Sequence, residues 1–404
     1  MKILLVDDDL IARKVASAML QHQGHEVVEA CDGECAWRVI QESDISFVVS
    51  DWVMPGLAGV DLCRRIRAAG LSRYVYVILC TSRGEKSDLI EGMDAGADDF
   101  LVKPVSADEL RVKVRAGERV LRLQQGLADK NQELARINTQ LHSSHKRIED
   151  DLKAAAWMQQ NLLPLPSLAA NGFRCSWRFE PSGYVAGDTF NFFPMDEHAV
   201  GFYLLDVSGH GVPAAMLSVT LSMVLTPEVT RGSPLKRSNP QSELPELLSP
   251  DAVIRELNRR FQSKDDRYFT MLYGLIDTRS STLRLAQAGH PGPVLIGRDG
   301  RIEILGAGGM PVGLWQEIEF DCIETQVHPG DRLLLYSDGV TECLDQHGEA
   351  FGEARLLNYL ASRSSERMDE LLGGLLEELG SWRNRAASED DISLLAIEVA
   401  EEKN

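Results

Sequence analysis

The sequence predicts two folded domains of different class joined by a long helix. The front is expected to be an α/β doubly wound five-stranded domain. The rear is expected to be an α+β domain with stacked β-sheets flanked by helices. Three observations carry this reading. Short apolar runs alternate with amphipathic stretches at the front, a segment almost free of Gly and Pro follows, and strand-length apolar runs then crowd together. The expected boundaries are 1–118, 119–162 and 163–404.

At the front the runs are KILLVD, EVVEA, FVVSD, VYVILC and DFLVK. Helical segments near 10–23, 33–42, 59–69 and 84–95 separate them, and a fifth begins at Ala107. Strands this apolar are buried on both faces, as in a parallel sheet covered by helices. Sites on such sheets form at the carboxyl ends of the strands. Asp7, Asp51, Thr81 and Lys103 each close a run. An isolated Asp at a strand end has an ordinary use as a helix cap, and Asp9 is expected to cap the helix starting at Leu10. Several acids and a Lys converging on one sheet end imply chemistry instead.

Between about 118 and 160 Val120, Leu127, Leu134, Leu141, Ile148 and Ala155 recur every seven residues. The intermediate positions are mixed: Leu123, Ile137 and Leu152 are apolar, and Asn131, Asn138 and His145 are polar. A long helix with a narrow apolar seam fits, spanning ~64 Å if continuous. Such a seam predicts a coiled-coil linker and a homodimer. The competing reading is one amphipathic helix packed on its own domain. Pro164 and Pro166 are expected to end the helix.

In the rear the runs are GFYLLDVSG, YFTMLYGLID, LRLAQAG, PVLIG, DRLLLYSDG and ISLLAIEV, with helices expected at 213–225, 251–262 and 353–380. VAGD at 185–188 is read as leading into an aromatic-rich turn. Residues 231–250, with four Pro, read as an exposed loop.

Composition narrows the classes. Of 404 residues 44% are hydrophobic and 25% charged, ordinary values for globular domains. A formal charge of −19 argues against non-specific binding to nucleic acid. No apolar run reaches the ~20 residues of a membrane span. The start MKILLVDDD lacks the features of an export signal. Seven Cys, scattered and odd in number, read as free thiols in a reducing cytoplasm, and Cys31 and Cys35 lack the second pair that a metal site needs.

The strings LLVDDD, VVSDWVMPG, LCTS and FLVKP closely resemble the receiver domain of two-component response regulators, over roughly residues 1–120. The resemblance implies that Asp51 is the phosphoacceptor, fed by a histidine kinase or phosphotransfer protein. It implies a Mg²⁺ held by Asp7, Asp8, Asp51 and the carbonyl of Val53, in keeping with that ion's preference for oxygen ligands. Lys103 and Thr81 would meet the phosphoryl oxygens, and Phe100 takes the family's aromatic switch position.

In the rear, VAGD, LLDVSGHGVPAAMLS, AGHPGPVL, LLLYSDGVTE and EDDISLLAIE resemble in order and spacing the metal-dependent Ser/Thr phosphatases of the PPM superfamily, the SpoIIE-like branch above all. The resemblance covers about 170–400. It implies two Mn²⁺ or Mg²⁺ ions, with Asp206 bridging both, Asp188 on one, Asp338 and Asp390 on the other, and the carbonyl of Val207 as a further ligand. Asp391 stands beside Asp390, and strand alternation allows one of the two to point inward. Two metals a few ångströms apart supply both nucleophile and charge neutralisation for hydrolysis of a phosphate ester. Gly209 and Gly211 would let backbone approach the centre. His210 and His290 are candidate general acids, with turn-holding hydrogen bonds as the ordinary reading, and Ser208 and Ser337 read as turn residues. The chain departs from the branch at Asn191, where a second acid is usual, and at Thr189, where an aromatic is usual.

These readings combine into a cytoplasmic response regulator whose Asp51 governs a protein-serine/threonine phosphatase. By resemblance its substrate would be a phosphorylated anti-sigma-factor antagonist of STAS fold. The alternative is an adaptor that keeps the phosphatase fold without catalysis, which Asn191 favours and the retained acids disfavour. A DNA-binding regulator lacks both a recognition helix and a basic patch.

Overall fold

Burial on both faces of the central front strands produces the expected parallel sheet. In the computed structural model, which describes residues 1–82, 86–165, 168–228, 233–237, 245–262 and 267–400, β1 (Lys2–Val6), β2 (Glu26–Ala30), β3 (Phe47–Asp51), β4 (Tyr76–Thr81) and β5 (Asp99–Val102) pair in the order β2-β1-β3-β4-β5. Every pairing is parallel. Helices α1 (Leu10–His22), α2 (Gly33–Glu42), α3 (Gly59–Ala68) and α4 (Lys86–Asp94) lie between the strands in sequence. Leu4, Val48 and Val77 pack into a core on one face, and Ile3, Phe47 and Ile78 pack on the other. Asp9 caps α1 as expected, its carboxylate accepting from Ile11 N at 2.8 Å and Ala12 N at 3.4 Å.

The fifth helix does not stop where the front domain ends. α5 runs unbroken over Ala107–Gln160, 54 residues, or ~81 Å at 1.5 Å per residue. The helix expected to start at Ala107 and the linker expected from 119 are thus one element, since no Pro intervenes and the helix runs through Gly117 and Gly126 without a break. It ends at Gln160, a few residues before Pro164; Pro166 lies outside the described residues. The chain divides into two compact units, Met1–Ser144 and His145–Asn404, with the division inside α5.

The second unit is a two-sheet sandwich with helices outside. Its strands are β6 (Ala169–Ala170), β7 (Phe173–Glu180), β8 (Thr189–Pro194) and β9 (Ala199–Val207), followed by α6 (Val212–Val224). A small hairpin of β10 (Lys236–Arg237) and β11 (Glu246–Leu247) precedes α7 (Pro250–Arg260). It is the described part of the loop expected at 231–250. Then come β12 (Phe269–Asp277), β13 (Thr282–Ala288), β14 (Val294–Ile296), β15 (Ile302–Ile304), β16 (Cys322–Gln326) and β17 (Arg332–Tyr336). The chain closes with α8 (Asp338–Thr341), α9 (Gly352–Ser362), α10 (Met368–Trp382) and β18 (Ile392–Val399).

One sheet has the order β16-β13-β12-β9-β8 and the other β15-β14-β17-β18-β7-β6. Between them Phe190, Phe202, Leu272, Leu335 and Leu395 form the central core. Tyr203, Leu221 and Leu257 pack the outer face of the first sheet against α6 and α7, while Leu334, Leu360 and Leu375 pack the second sheet against α9 and α10.

Two expectations need correction. The aromatic-rich turn after VAGD is strand β8: Phe190 and Phe192 point into the central core and Phe193 into the helix-covered layer, the period-2 alternation of a strand. The single helix expected over 353–380 is two, α9 and α10, separated at 363–367. The polar run Arg363-Ser-Ser-Glu-Arg367 has no apolar residue to keep a helix on the sheet, and Ser competes for its own backbone.

Candidate active site

At the front, the ends of β1, β3, β4 and β5 bring the expected residues together. Lys103 Nζ lies 2.8 Å from Asp7 Oδ2 and 3.0 Å from Asp51 Oδ1. Asp7, Asp8 and Asp51 present carboxylate oxygens within 4.8 Å of one another, a grouping that fits a divalent cation. Burial pushes the Asp51 carboxyl up from its usual range, and the hydrogen bond and charge of Lys103 work against that shift. Thr81 is buried at the end of β4. Phe100 is half-buried on β5, with the Lys113 ammonium 5.3 Å from its ring centroid. Val53 is 68% exposed in the loop after Asp51.

In the second unit the acids converge from four elements at one end of the sandwich. Asp206 and Val207 end β9, Asp188 immediately precedes β8, Asp338 opens α8 after β17, and Asp390 and Asp391 lead into β18. The acids perturb one another. Asp206 is pushed up to about 7 by burial and then by the charges of Asp338, Asp390 and Asp391. Asp338 is pushed up to about 6 by burial, Asp390 and Glu342. Fully buried Asp188 is raised well above the usual range by desolvation and then by Asp206. Asp390 is raised by burial, and His210 eases it slightly. Asp188 is buried, Asp206 and Asp338 are half-buried and Asp390 is exposed, and carboxylates that raise one another in this way repel unless protonated or neutralised by cations. Their hard oxygen donors suit Mg²⁺ or Mn²⁺.

Asp390 and Asp391 have different surroundings. Asp391 is 5% exposed, and its Oδ1 accepts from Ser182 N at 2.7 Å and Ser182 Oγ at 2.9 Å. Its Oδ2 accepts from Gly187 N at 2.8 Å. The carboxylate thus clips the 182–188 turn that presents Asp188. Gly187 must be small there, because a Cβ would stand 2.9 Å from Val207 O. Asp188 Oδ2 in turn accepts from Ser393 Oγ at 2.6 Å, Ser393 N donates to Ser337 Oγ at 2.9 Å, and Ser337 Oγ donates to Asp391 O at 3.0 Å.

His290 is 2% exposed, its Nδ1 is 2.8 Å from Thr270 Oγ1, and burial lowers its pKa to about 3. It is a core histidine whose side chain bonds the Thr270 hydroxyl on β12 rather than holding its own turn. His210 is exposed in the turn before α6, between Gly209 (φ 88°) and Gly211 (φ 77°), backbone that favours glycine. Asn191 shares a face of β8 with Thr189 and Phe193, opposite Tyr203 on β9 and close to Ser222 of α6. Asp188 is tied to the other sheet through Ser393, so Asn191 lies on the far side of β8 from the acids.

Sequence reasoning missed three polar residues that shape this site. Gln159, in the last turn of α5, accepts from Ala186 N at 3.0 Å and donates to Ala186 O at 2.7 Å and Ser218 Oγ at 3.0 Å. Its carboxamide fixes the backbone two residues before Asp188. Ser393 had a usable signal: a hydroxyl inside the buried run ISLLAIEV needs a partner. Gln159 and Ser182 had none.

Two family models match separate parts of the chain, one within each unit. The family model for stage II sporulation protein E (SpoIIE) matches residues 196–400, and that for the response regulator receiver domain matches 3–115. The phosphoserine phosphatase RsbP of Bacillus subtilis is 28% identical over 198 residues, 48% of this chain and 45% of that protein. The phosphate regulon transcriptional regulatory protein PhoB of Pseudomonas aeruginosa is 34% identical over 114 residues, 28% of this chain and 50% of that protein. The chain spans about half the length of these curated relatives. Among solved structures, the SiaA-PP2C domain of Pseudomonas aeruginosa superposes with a TM-score of 0.53 at 21% identity, covering 63% of this chain and 98% of that one, a likeness of fold.

Proposed function

We propose that this chain, which belongs to the SpoIIE family and carries a response regulator receiver domain at its front, is a metal-dependent protein-serine/threonine phosphatase under receiver control. The observation that carries the reading is the convergence of Asp188, Asp206, Asp338 and Asp390 at one sandwich end, each raised by burial. These four and the carbonyl of Val207 would hold two Mn²⁺ or Mg²⁺ ions, which would neutralise phosphoryl charge and acidify the attacking water. Asp391 serves as the clip of the 182–188 turn and is left out of the ligand set. Ser393 and Ser337 orient Asp188 and the start of β18. The adaptor alternative is the less favoured reading, because Asn191 lies opposite Tyr203 on the face of β8 away from Asp188.

At the front, Asp51 would accept a phosphoryl group from a histidine kinase or phosphotransfer protein, with Mg²⁺ held by Asp7, Asp8, Asp51 and the carbonyl of Val53. Lys103 and Thr81 would hold the phosphoryl oxygens and Phe100 would respond. α5 would carry the signal, since its last turn grips Ala186 through Gln159. Leu123, Leu127, Leu134, Ile137, Leu141 and Ile148 stand 47% to 65% exposed along α5. A seam of this kind fits a homodimer through the linker. The substrate is read as a phosphoprotein, with a STAS-fold anti-sigma-factor antagonist as the candidate.

The deciding experiment is Mn²⁺-dependent p-nitrophenyl phosphate hydrolysis, with and without beryllofluoride, beside Asp206→Ala and Asp51→Asn. Hydrolysis lost in the first variant and a beryllofluoride effect lost in the second would support the reading. Hydrolysis surviving Asp206→Ala overturns the rear assignment, and a beryllofluoride response surviving Asp51→Asn overturns the front one.

A further inference from the structure

Beside the rear acids the structure holds a buried histidine that the proposed chemistry leaves unused. His290 lies in the turn from β13 to β14, and its backbone is pinned there. Gln287 Nε2 donates to His290 O at 2.6 Å, and Gln287 Oε1 accepts from Gly308 N at 2.9 Å. The preceding Gly289 takes φ 70°, and a Cβ on it would stand 2.8 Å from the Pro311 ring. Burial keeps the imidazole neutral, so it carries one N–H and one bare nitrogen.

The two ring nitrogens have different neighbours. Nδ1 is 2.8 Å from Thr270 Oγ1. Nε2 closes no hydrogen bond, but the Tyr336 backbone beside the ring favours the protonated nitrogen. A bare lone pair against that carbonyl would be repelled, which places the proton on Nε2 and makes Thr270 Oγ1 the donor to Nδ1. The hydroxyl hydrogen is then committed, and the hydroxyl oxygen can only accept.

Thr270 carries this oxygen to the acids. It pairs directly with Asp206 across β12 and β9, and directly paired residues project from the same face. That face is the one between the sheets, because Leu272 and Leu204, two residues along each strand, both lie in the central core. Leu272 is sealed there, whereas Thr270 at the acid end is half-buried. A threonine hydroxyl is an oxygen donor that divalent cations accept. It also adds no charge to four acids that already repel one another.

We propose that Thr270 supplies a neutral oxygen to the cation centre beside Asp206, and that His290 is the positioning residue that turns this oxygen towards it. The assignment rests on the two-cation phosphatase reading above and adds two residues to it. Neither takes part in attack on phosphorus.

The test reads Mn²⁺ affinity of the full chain by titration calorimetry, beside its melting temperature in chelator and its hydrolysis of p-nitrophenyl phosphate. Thr270→Val keeps the shape without the oxygen and is expected to bind Mn²⁺ about 10–100-fold more weakly, with the metal-free fold intact. Thr270→Ser keeps the hydroxyl and should stay close to wild type. His290→Asn can still accept from Thr270 through its amide oxygen and should bind like Thr270→Ser, while His290→Leu should bind like Thr270→Val. Combining Thr270→Val with His290→Leu should weaken binding no further, since the two act through one oxygen. If His290→Leu does not fold, the Thr270 pair decides alone. Unchanged affinity in Thr270→Val, or an equal loss in Thr270→Ser, would overturn the assignment. Affinity that follows the hydroxyl in a chain that hydrolyses no phosphate ester would retain the assignment and remove the phosphatase.

Discussion

The two acidic centres solve the same electrostatic problem in opposite ways. At the front, Lys103 sits between Asp7 and Asp51, so the cluster carries its own counter-charge. In the rear, Asp206, Asp188, Asp338 and Asp390 chiefly face one another, and their charges add to the penalty of burial. The front centre can hold its shape without a cation, as suits a switch that must wait in either state. The rear centre is internally repelled until something positive arrives, as suits a site whose working form is the metal-loaded one.

The largest effect should come from removing one rear charge. Asp206→Asn keeps the shape of the side chain while deleting the acid that the others perturb most directly. Hydrolysis should fall by at least ~10²–10³-fold, the scale for losing a group that stabilises transition-state charge. The metal-free protein should nevertheless melt higher than wild type. Calorimetry in chelator checks the second half; a lower melting temperature would mean that the acids are not in mutual repulsion.

The same contrast predicts a pH dependence. Asp206 is raised to about 7 and Asp338 to about 6 in the folded chain, against about 4 when unfolded. Below about pH 4 both states are protonated and the cluster costs nothing. As pH rises towards about 7, the unfolded chain releases protons that the folded chain retains, and stability falls. Metal-free wild type should lose melting temperature across that window relative to Asp206→Asn, and Mn²⁺ should restore more at pH 8 than at pH 5. Each kcal/mol corresponds to roughly 2–4 °C in a domain of this size. Parallel curves for the two proteins would refute the coupling.

How much of this was legible in the sequence follows the same division. Asp7, Asp51, Thr81 and Lys103 each end an apolar run of five or so residues, and a parallel sheet aligns run ends, so sheet class and site came together from one pattern. The rear acids also follow apolar runs, but their partners lie on turns and on the opposite sheet. Ser182 and Gly187 meet Asp391 across more than 200 positions, a pairing no local pattern encodes. β8 escaped recognition because three Phe in six residues hide its alternation when both faces are buried. Gln159 was invisible for the converse reason: among the polar residues of a long helix, nothing marks the one that is buried.

Ser393 sharpens the comparison at a smaller scale. Its hydroxyl donates to Asp188 Oδ2 at 2.6 Å, so it orients a proposed ligand without touching either cation. Groups of this kind are worth about 10–100-fold in metal affinity. Ser393→Ala should raise the Mn²⁺ concentration for half-maximal hydrolysis by that factor while leaving the rate at saturating Mn²⁺ within a few-fold. A loss of maximal rate that Mn²⁺ cannot rescue would give Ser393 a different role.

The smallest effect concerns α5, where two glycines on one helix should respond oppositely to one substitution. A Cβ on Gly117 would stand 2.4 Å from Phe47 Cε2 and 2.7 Å from the Tyr76 ring, whereas Gly126 has nothing within 4 Å. Replacing Gly by Ala in an open helix gains about 1 kcal/mol. Forcing a methyl into packed rings costs about 1–3 kcal/mol. Gly126→Ala should therefore stabilise the helix, and Gly117→Ala should destabilise the front domain by about 1 kcal/mol once the propensity gain is offset. Both should leave p-nitrophenyl phosphate turnover unchanged, because neither approaches the rear acids. Should Gly117→Ala also weaken the beryllofluoride effect on the rear domain while Gly126→Ala preserves it, the seat of α5 on Phe47 and Tyr76 would be part of the signal path. An equal response from both would confine that contact to stability.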